Sequence, residues 1–165
     1  MTPQEFATKL QECRRPIWTI AAAILGDASA ADDMVQEAAS IALGKLDEFD
    51  PSTRFVAWMG QIVRYVSLNE SRKRKRLRLV NEDSVHRISE VKAEDQVFDS
   101  KVAAALETLD ETARTCLLMR TVHDLSYTTI AAALGIPEGT AMSHVHRARA
   151  ALRIRLASLS TEASL

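Results

Sequence analysis

The first half of the chain has apolar residues every three or four positions, which is the period of an amphipathic α-helix. One apolar stripe runs from Met34 to Leu46, and another runs from Phe55 to Val66. Strand signals, such as sustained alternation of apolar and polar residues, are absent from the sequence. The two stripes are predicted to pack together as a core. Trp58 lies on the second stripe, and this position favours a core role for its ring over a base-stacking role.

Helix-breaking residues separate these stripes. The pairs Gly26-Asp27 and Asp50-Pro51 are typical of positions where one helix ends and another begins. Three helices are therefore predicted in the first half, over roughly residues 3–25, 30–46 and 53–76. Residues 77–100 lose the helical period and accumulate acidic side chains, which predicts a flexible linker. Helical periodicity resumes near Lys101, so the expected architecture is all-α, with two small helical domains at 1–76 and 101–159 joined by the linker.

Residues 120–153 have the pattern of a helix-turn-helix. Ala131 and Leu134 lie at helical intervals, and Gly135 follows where the first helix has to stop, because glycine readily takes a positive φ. Pro137 cannot extend that helix but suits the first turn of the next. Ala131 supplies the small side chain that is needed where two helices cross steeply. The turn between the helices is therefore predicted to be short and sharp.

The second helix of this pair divides into a packing side and polar sides. Its apolar positions share one side, namely Ala141, Val145, Ala148 and Leu152. The other sides carry polar and basic residues, with four arginines between Arg147 and Arg155. The residues predicted to contact DNA are Thr140, Met142, Ser143, His144, His146, Arg147 and Arg149. The alternative is an ordinary helical hairpin whose basic side is only solvated.

Charge is strongly polarised along the sequence, although the formal net charge is only −1. Residues 64–80 contain seven basic and one acidic residue, whereas residues 82–111 contain nine acidic and three basic residues. The basic segment includes the run RKRKRLR at residues 72–78. Such a run can be a solvated tail or a eukaryotic localisation signal, but phosphate binding is the better physical account, because clustered lysine and arginine displace counterions from nucleic acid. An acidic linker beside this run also allows the basic charge to be masked within the molecule.

Motifs for catalysis, metal binding or membrane insertion are missing from the sequence. It has no glycine-rich phosphate loop, no cluster of metal-ligand residues and no nucleophile beside a base. Cys13 and Cys116 are far apart, so both are predicted to be small buried hydrophobic residues. No apolar run approaches the length of a membrane span, and Met1 is followed by polar residues. We therefore expect a cytoplasmic protein that is not an enzyme and has no cofactor, no metal and no small-molecule substrate.

Two segments resemble the extracytoplasmic-function group of sigma factors, which belongs to the sigma-70 family of bacterial RNA polymerase. LSYTTIAAALGIPEGTAMSHVHRARAAL, residues 125–152, is similar to the fourth conserved region of that group. Residues 26–76, which begin with GDASAADDMVQEAAS and end with SRKRKR, are similar to the second conserved region. The two segments also occur in the family's order and spacing. The resemblance implies a sigma factor that binds core RNA polymerase and directs promoter-specific initiation, with a second-region domain at 1–76 and a fourth-region domain at 101–159.

For the second region, the resemblance implies two surfaces. The segment ADDMVQEAA corresponds to the surface that docks on the clamp helices of the polymerase β′ subunit, and we call its exposed residues the acidic strip: Asp32, Asp33, Gln36, Glu37 and Ser40. The alternative interpretation is that this strip is only a solvated helix face. The third helix and the loop from Phe49 to Phe55 correspond to the surface that reads the minus-ten element, separates the strands and holds an unpaired base. The implied minus-ten contacts are Arg54, Arg64, Tyr65, Asn69, Arg72, Lys73 and Arg76.

Four residues depart from the family pattern. Tyr65 and Asn69 stand where many members have asparagine and aspartate. Tyrosine offers a stacking face, and asparagine both donates and accepts hydrogen bonds, so we expect these two residues to alter the minus-ten sequence that is read and to preserve the melting role. Met142 and His144 stand at commonly basic positions of the recognition helix. We expect two phosphate or base contacts to be weaker there.

The resemblance also implies partners. These are core RNA polymerase, through its β′ clamp helices and its β flap, promoter DNA, and an anti-sigma factor that covers both domains. Two other functions stay open: a sigma mimic that only sequesters an anti-sigma factor, and a stand-alone helix-turn-helix regulator. The mimic has no need of the basic run or of the arginines from Arg147 to Arg155, and the regulator has no need of the acidic strip. A sigma factor accounts for both features.

Overall fold

A computed structural model of the protein describes residues 1–80 and 100–162. These residues form seven α-helices and one 3-10 turn, with no strand among them, as the all-α prediction requires. In the N-terminal half the elements are α1 (Pro3–Leu25), α2 (Ala28–Leu43), a 3-10 turn (Leu46–Glu48) and α3 (Phe55–Val80). In the C-terminal half they are α4 (Ser100–Glu107), α5 (Glu111–Thr121), α6 (Tyr127–Leu134) and α7 (Glu138–Glu162). Most of the predicted linker, residues 81–99, lies outside the described residues.

Local capping explains where the first helices begin and end. Thr2 and Glu5 form a capping box at the start of α1, with each side chain accepting a hydrogen bond from the backbone N–H of the other. At the other end, Gly26 has φ 65° and donates its N–H to the Ala22 carbonyl. Both limits agree with the predicted helix over 3–25. The third predicted helix continues past residue 76 to Val80, because lysine and arginine are good helix formers.

The predicted apolar stripes form the core of the N-terminal half. The buried members are Met34, Val35, Ala38, Ala42, Phe55, Met59 and Val66, and the half-buried members are Ile41, Leu46, Trp58 and Ile62. The Trp58 ring lies edge-on to Phe49, with 5.1 Å between ring centroids, so its predicted core role is confirmed. The sequence pattern missed Val63, which is also completely buried.

The two halves pack directly against each other and share one continuous hydrophobic core. Helices α1 and α3 of the N-terminal half contact α5 and α6 of the C-terminal half. Two hydrogen bonds also join the halves. Thr19 Oγ1 lies 2.7 Å from His123 Nε2, and Gln61 Nε2 donates to the Ala132 carbonyl over 2.8 Å. The sequence pattern predicts two helical domains and is silent on this packing.

Candidate polymerase and nucleic-acid interfaces

The turn between α6 and α7 has the geometry that the sequence predicts. The Ser126 hydroxyl caps α6 by accepting the N–H of Thr129 over 3.2 Å. Gly135 ends the helix with φ 64° and donates its N–H to the Ala131 carbonyl. The Pro137 carbonyl then accepts the first hydrogen bonds of α7. The connection between the two helices is therefore only three residues long, 135–137.

Packing and one polar contact hold α6 and α7 at their crossing. Ile130 and Ala131 of α6 and Ala141 and Val145 of α7 are all buried. Thr128 Oγ1 donates to Glu138 Oε2 over 3.1 Å and joins the exposed sides of the two helices. These contacts hold α7 in a fixed orientation against α6. A helix that binds in a groove of DNA requires such an orientation.

Six of the seven predicted DNA-contacting residues of α7 line one open groove. They are Thr140, Met142, Ser143, His146, Arg147 and Arg149. His144 does not line it and is half-buried. The groove thus combines two arginines with hydroxyl and imidazole groups, which suits phosphate and base-edge contacts together.

Tyr127 also lines this groove, and sequence reasoning missed it. The Arg120 guanidinium lies over the Tyr127 ring at 5.2 Å from the centroid. Arg120 is itself held by Asp124, at 3.0 Å, and by the Leu125 carbonyl, also at 3.0 Å. The sequence shows an aromatic residue among polar neighbours at the start of α6, which is typical of an exposed binding residue. Its place beside the α7 groove could not be predicted, because it depends on how α6 and α7 cross.

The basic run at residues 72–78 divides between two sides of α3. On the outer side, Arg72, Lys73 and Arg76 are exposed together with Tyr65 and Asn69. Tyr65 is 65% exposed, which is unusual for a large ring. This outer side combines a stacking surface, an amide and three cations in the way that single-stranded nucleic acid requires.

The other side of the run lines a cleft between the two halves. Arg74, Lys75 and Arg78 lie there beside Asp110, the N-cap of α5, and Glu111, its first residue. These three basic and two acidic residues have opposite charges, so part of the basic charge faces acidic groups of the other half. The basic run is therefore not a single DNA-facing surface.

Arg74 is committed to contacts within the protein. Its Nη1 lies 3.0 Å from Asp27 Oδ2, and its Nε lies 2.8 Å from Glu70 Oε1. Partial burial raises the pKa of Asp27, but hydrogen bonds from Arg74 and from backbone N–H groups outweigh this effect and leave the pKa below its ordinary value. Asp27 also caps α2, so the contact connects the start of α2 to the end of α3.

Arg64 lies apart from the other predicted minus-ten residues. It is half-buried and lines a narrow crevice with Leu68, Glu111 and Leu134. This crevice is at the contact between the halves. Arg54, in contrast, is exposed just before α3, where its carbonyl accepts the N–H groups of residues 57 and 58.

The acidic strip lies on the outer side of α2. Asp33, Gln36, Glu37 and Ser40 are exposed. Asp32 is half-buried, and its Oδ1 lies 3.1 Å from Arg14 Nη2 of α1. Four of the five predicted docking residues are therefore presented to solvent, and the fifth also connects α2 to α1.

Other chemistry has little support in the part of the chain that the structure describes. Among those residues, no group of three or more His, Cys, Asp or Glu side chains is placed to hold a metal ion. No described helix combines the length and the apolar character that a membrane crossing needs. Cys116 is buried as predicted, and burial raises the pKa of its thiol to about 11, whereas Cys13 is only half-buried.

Comparisons with known proteins agree with this geometry. Residues 10–77 match the family model described as Sigma-70 region 2, and residues 100–152 match Sigma-70, region 4. The chain is 32% identical over 135 residues to the ECF RNA polymerase sigma factor EcfG of Rhodopseudomonas palustris, covering 80% of this chain and 74% of EcfG. It is 30% identical over 153 residues to the ECF RNA polymerase sigma factor SigE of Mycolicibacterium smegmatis, covering 88% of this chain but 59% of SigE.

Solved structures are similar over almost the whole chain, and one of them serves as an example. It is the sigma factor RpoE of Bartonella quintana, in complex with the anti-sigma factor NepR. The TM-score is 0.79 at 25% sequence identity, and the superposition covers 93% of this chain and 97% of RpoE.

Proposed function

Because the chain belongs to the extracytoplasmic-function sigma factors of the sigma-70 family, we propose that it binds core RNA polymerase and directs initiation from promoters with minus-ten and minus-thirty-five elements. The observation that carries this proposal is the presence of three different surfaces on one chain. These are the groove along α7, the aromatic and basic side of α3, and the acidic strip on α2. A protein that only bound duplex DNA, or only captured an anti-sigma factor, would not need all three.

The α7 groove is proposed to bind the minus-thirty-five element in the major groove. An α-helix fits that groove, and each base pair there presents its own pattern of donors and acceptors. Arg147 and Arg149 are proposed as the principal donors, with Thr140, Ser143 and His146 beside them. The Arg147 Nε approaches the carbonyl of Ser143 at 3.4 Å, which directs the side chain along its own helix and leaves the terminal guanidinium nitrogens to serve as donors to DNA.

The outer side of α3 is proposed to hold the minus-ten element. Flipping a base out of the duplex costs a few kcal/mol of stacking and pairing, so the protein has to offer a replacement surface. Tyr65 is proposed to stack on the displaced base and Asn69 to bond its edge, with Arg72, Lys73 and Arg76 on the phosphates. Arg54 adds a cation at the start of the helix. Arg64 can join them only if the crevice between the halves opens.

The acidic strip is proposed to dock on the β′ clamp helices, and the C-terminal half on the β flap. An anti-sigma factor is proposed as a second protein partner, since the similar Bartonella sigma factor was solved with one. The site of action is then the cytoplasm, where RNA polymerase works. The protein itself acts by binding and carries out no reaction.

The test is transcription by bacterial core polymerase from a random promoter library, with and without this protein, followed by sequencing of the transcript starts. We expect protein-dependent starts downstream of a shared two-part motif. The matched control is the same chain with Glu37→Lys and Arg147→Ala together, which should fold and give no such starts. Folded protein that binds core polymerase but selects no motif would contradict the proposal, and duplex binding without polymerase would point to a stand-alone regulator.

A further inference from the structure

We propose that the cleft between the end of α3 and the start of α5 binds a small phosphorylated ligand of the nucleotide class. The cleft has a volume of about 720 Å³, which is within the range of small-molecule sites. Neither the residues of the α7 groove nor those of the outer side of α3 form part of its wall. Binding in the cleft is therefore separate from the promoter contacts proposed above.

Four cations line the cleft, and three of them have no ion pair with another described residue. Lys75 and Arg78 belong to α3, and Arg114 belongs to α5. The fourth, Arg74, is held by the two ion pairs described above. Cations from two helices that face one cleft, without acidic partners of their own, are typical of a site that binds a multivalent anion.

Arg114 is the least exposed of these cations, with only 9% of its surface accessible to solvent. Its Nε is buried and has no hydrogen-bond partner in the part of the chain that the structure describes. Burial lowers the pKa of the guanidinium, and the carboxylates of Glu111, Glu107 and Asp110 counter this effect from beyond ion-pair distance. Because a buried charge without a hydrogen-bonded partner is costly, an anion in the cleft would stabilise Arg114.

The start of α5 adds backbone donors to the cleft. Asp110 caps the helix, because its Oδ1 accepts the Ala113 N–H over 2.9 Å and its carbonyl accepts the Arg114 N–H over 3.0 Å. The N–H groups of Glu111 and Thr112, in the first turn, have no partner within the helix. Both residues line the cleft. A helix N-terminus of this kind favours a phosphate group, and Arg114 lies on the same helix to neutralise it.

The carboxylates of the cleft do not cancel its positive charge. Four cations and three carboxylates line it, which leaves a surplus of one positive charge. Two of the carboxylates are also engaged within the protein, since Asp27 is paired with Arg74 and caps α2, and Asp110 caps α5. The third carboxylate, Glu111, remains to accept hydrogen bonds from a ligand.

The apolar part of the wall suits the ring of a nucleotide base. Ile24 and Leu25 at the end of α1, together with Leu109 just before α5, form this part of the cleft. Small-molecule sites typically combine such apolar surface with a few convergent polar groups. A nucleotide uses both parts, with its phosphates on the cations and its base on the apolar wall, whereas inorganic phosphate would leave the apolar wall uncovered.

The first experiment is isothermal titration calorimetry of the full chain with ATP, GTP, pyrophosphate and adenosine as separate probes. We expect at least one of the two nucleotides to bind with one molecule per chain, pyrophosphate to bind about tenfold more weakly, and adenosine not to bind. Arg114→Met should weaken nucleotide binding by about 10- to 100-fold, because it removes a charged hydrogen-bond donor from the site. Methionine is expected to be tolerated there, since apolar residues can replace buried charges without loss of stability.

Exposed residues of α3 provide a second variant and its matched control. Arg78→Gln should weaken nucleotide binding several-fold, and it decides the test if Arg114→Met fails to fold, because Arg78 is exposed. Arg76→Gln removes the same charge from the outer side of the same helix and should bind the nucleotide as the wild type does. Hydrogen–deuterium exchange then locates the ligand, which should slow exchange at Glu111 and Thr112 and leave the α7 groove unchanged.

The possible results separate this site from the other basic surfaces. No nucleotide binding by the folded wild type, equal losses in Arg76→Gln and Arg78→Gln, or protection of α7 instead of α5 would overturn the proposal. Pyrophosphate that binds as tightly as the nucleotides would overturn the nucleotide class. A single-stranded DNA oligonucleotide that displaces the nucleotide and depends on Arg114 would assign the cleft to nucleic acid instead. Because all these measurements use the free chain, they stand whether or not the protein directs transcription.

Discussion

At the scale of single residues, α7 concentrates several of its hydrogen-bond donors in one groove. Arg147 and Arg149 line the same groove, whereas Arg153 and Arg155, further along α7, are exposed outside it. Arginine presents five N–H donors in a planar fork, which matches guanine edges and phosphates. We therefore expect the position of each arginine relative to the groove to decide whether its loss affects promoter choice.

Replacing Arg147 with alanine is expected to reduce initiation from the preferred promoter by about 10- to 100-fold, since a good base contact is worth about 1–3 kcal/mol. The loss should be smaller on promoters with a changed minus-thirty-five element, because the contact reads sequence. Arg155→Ala is the control, as it removes the same charge outside the groove. Equal losses on all promoters, with a shallower salt dependence, would instead identify a phosphate contact.

His123 is expected to make the contact between the halves sensitive to pH. Burial lowers the pKa of His123, and the nearby positive charge of Arg15 lowers it further. The other groups at the site are Thr19, which accepts its hydrogen bond, and Asp124, which is paired with Arg120. Above the ordinary histidine pKa of about 6.5 the ring is neutral whether or not the halves are packed together, so their packing has its full stability. As the pH falls below that value, a His123 released from the contact binds the proton more readily and the packing of the halves weakens, until the lowered pKa is passed.

We therefore expect the radius of gyration of the wild type to increase as the pH is lowered from 8 to 5.5. His123→Gln should remove this dependence, because glutamine donates to Thr19 without titrating. His146→Gln, at an exposed position of α7, should keep it. An identical pH response in all three proteins would show that another group controls the opening.

At the scale of elements, helix ends decide the geometry of the helix-turn-helix. Gly135 and Gly139 lie four residues apart, and a Cβ added at either would meet no atom within 4 Å. They differ in the backbone, because Gly135 has φ 64° and Gly139 lies inside the first turn of α7. Alanine substitutions at Gly135 and Gly139 therefore separate the effect of backbone strain from the effect of side-chain packing.

Gly135→Ala is expected to lower the free energy of unfolding by about 1 kcal/mol, because a residue with a Cβ is strained in the left-handed region. Gly139→Ala should leave the unfolding free energy unchanged or raise it by up to about 1 kcal/mol, since alanine is the better helix former. Urea denaturation followed by circular dichroism measures both values. Equal effects of the two substitutions would show that φ at Gly135 is not what limits the turn.

At the scale of the whole molecule, partner surfaces lie on separate sides of the fold. The acidic strip is on the outer side of α2, whereas the contact between the halves is made mainly by α1 and α3 with α5 and α6. Four of its five residues are exposed while the halves are packed together. If the strip docks as proposed, core polymerase is expected to bind the N-terminal half first, and the binding energy can then be used to separate the halves.

Reversing one charge of the acidic strip tests this order. Glu37→Lys is expected to weaken binding to core polymerase by about tenfold, because it replaces an attractive charge at the proposed interface with a repulsive one. Compaction of the free chain should not change. Glu12→Lys, at an exposed position of α1, makes the same charge change away from the strip and is the control. Fluorescence anisotropy with labelled core polymerase measures the affinity, and equal losses for both variants would contradict a specific docking role.

Much of this molecule follows from its sequence alone. Helical periodicity identified the buried sides of α2 and α3, and glycine and proline chemistry identified the turn at residues 135–137, because both depend on interactions within a few residues. The same periodicity placed six residues of α7 on the sides that line one groove. Matches to the two sigma regions agree with the family that these segments resemble.

Only the tertiary structure decided how these elements meet. Periodicity shows which side of a helix is apolar but not which helix covers it, since packing depends on the shapes of both surfaces. Such packing places Arg72 and Arg74 of the basic run on different sides of α3. It also places Arg64 in the crevice between the halves and Tyr127 beside the α7 groove. The fit of Gly60 against Ala133 has the same origin, because these residues are 73 positions apart in the sequence and meet only because α3 and α6 share one core.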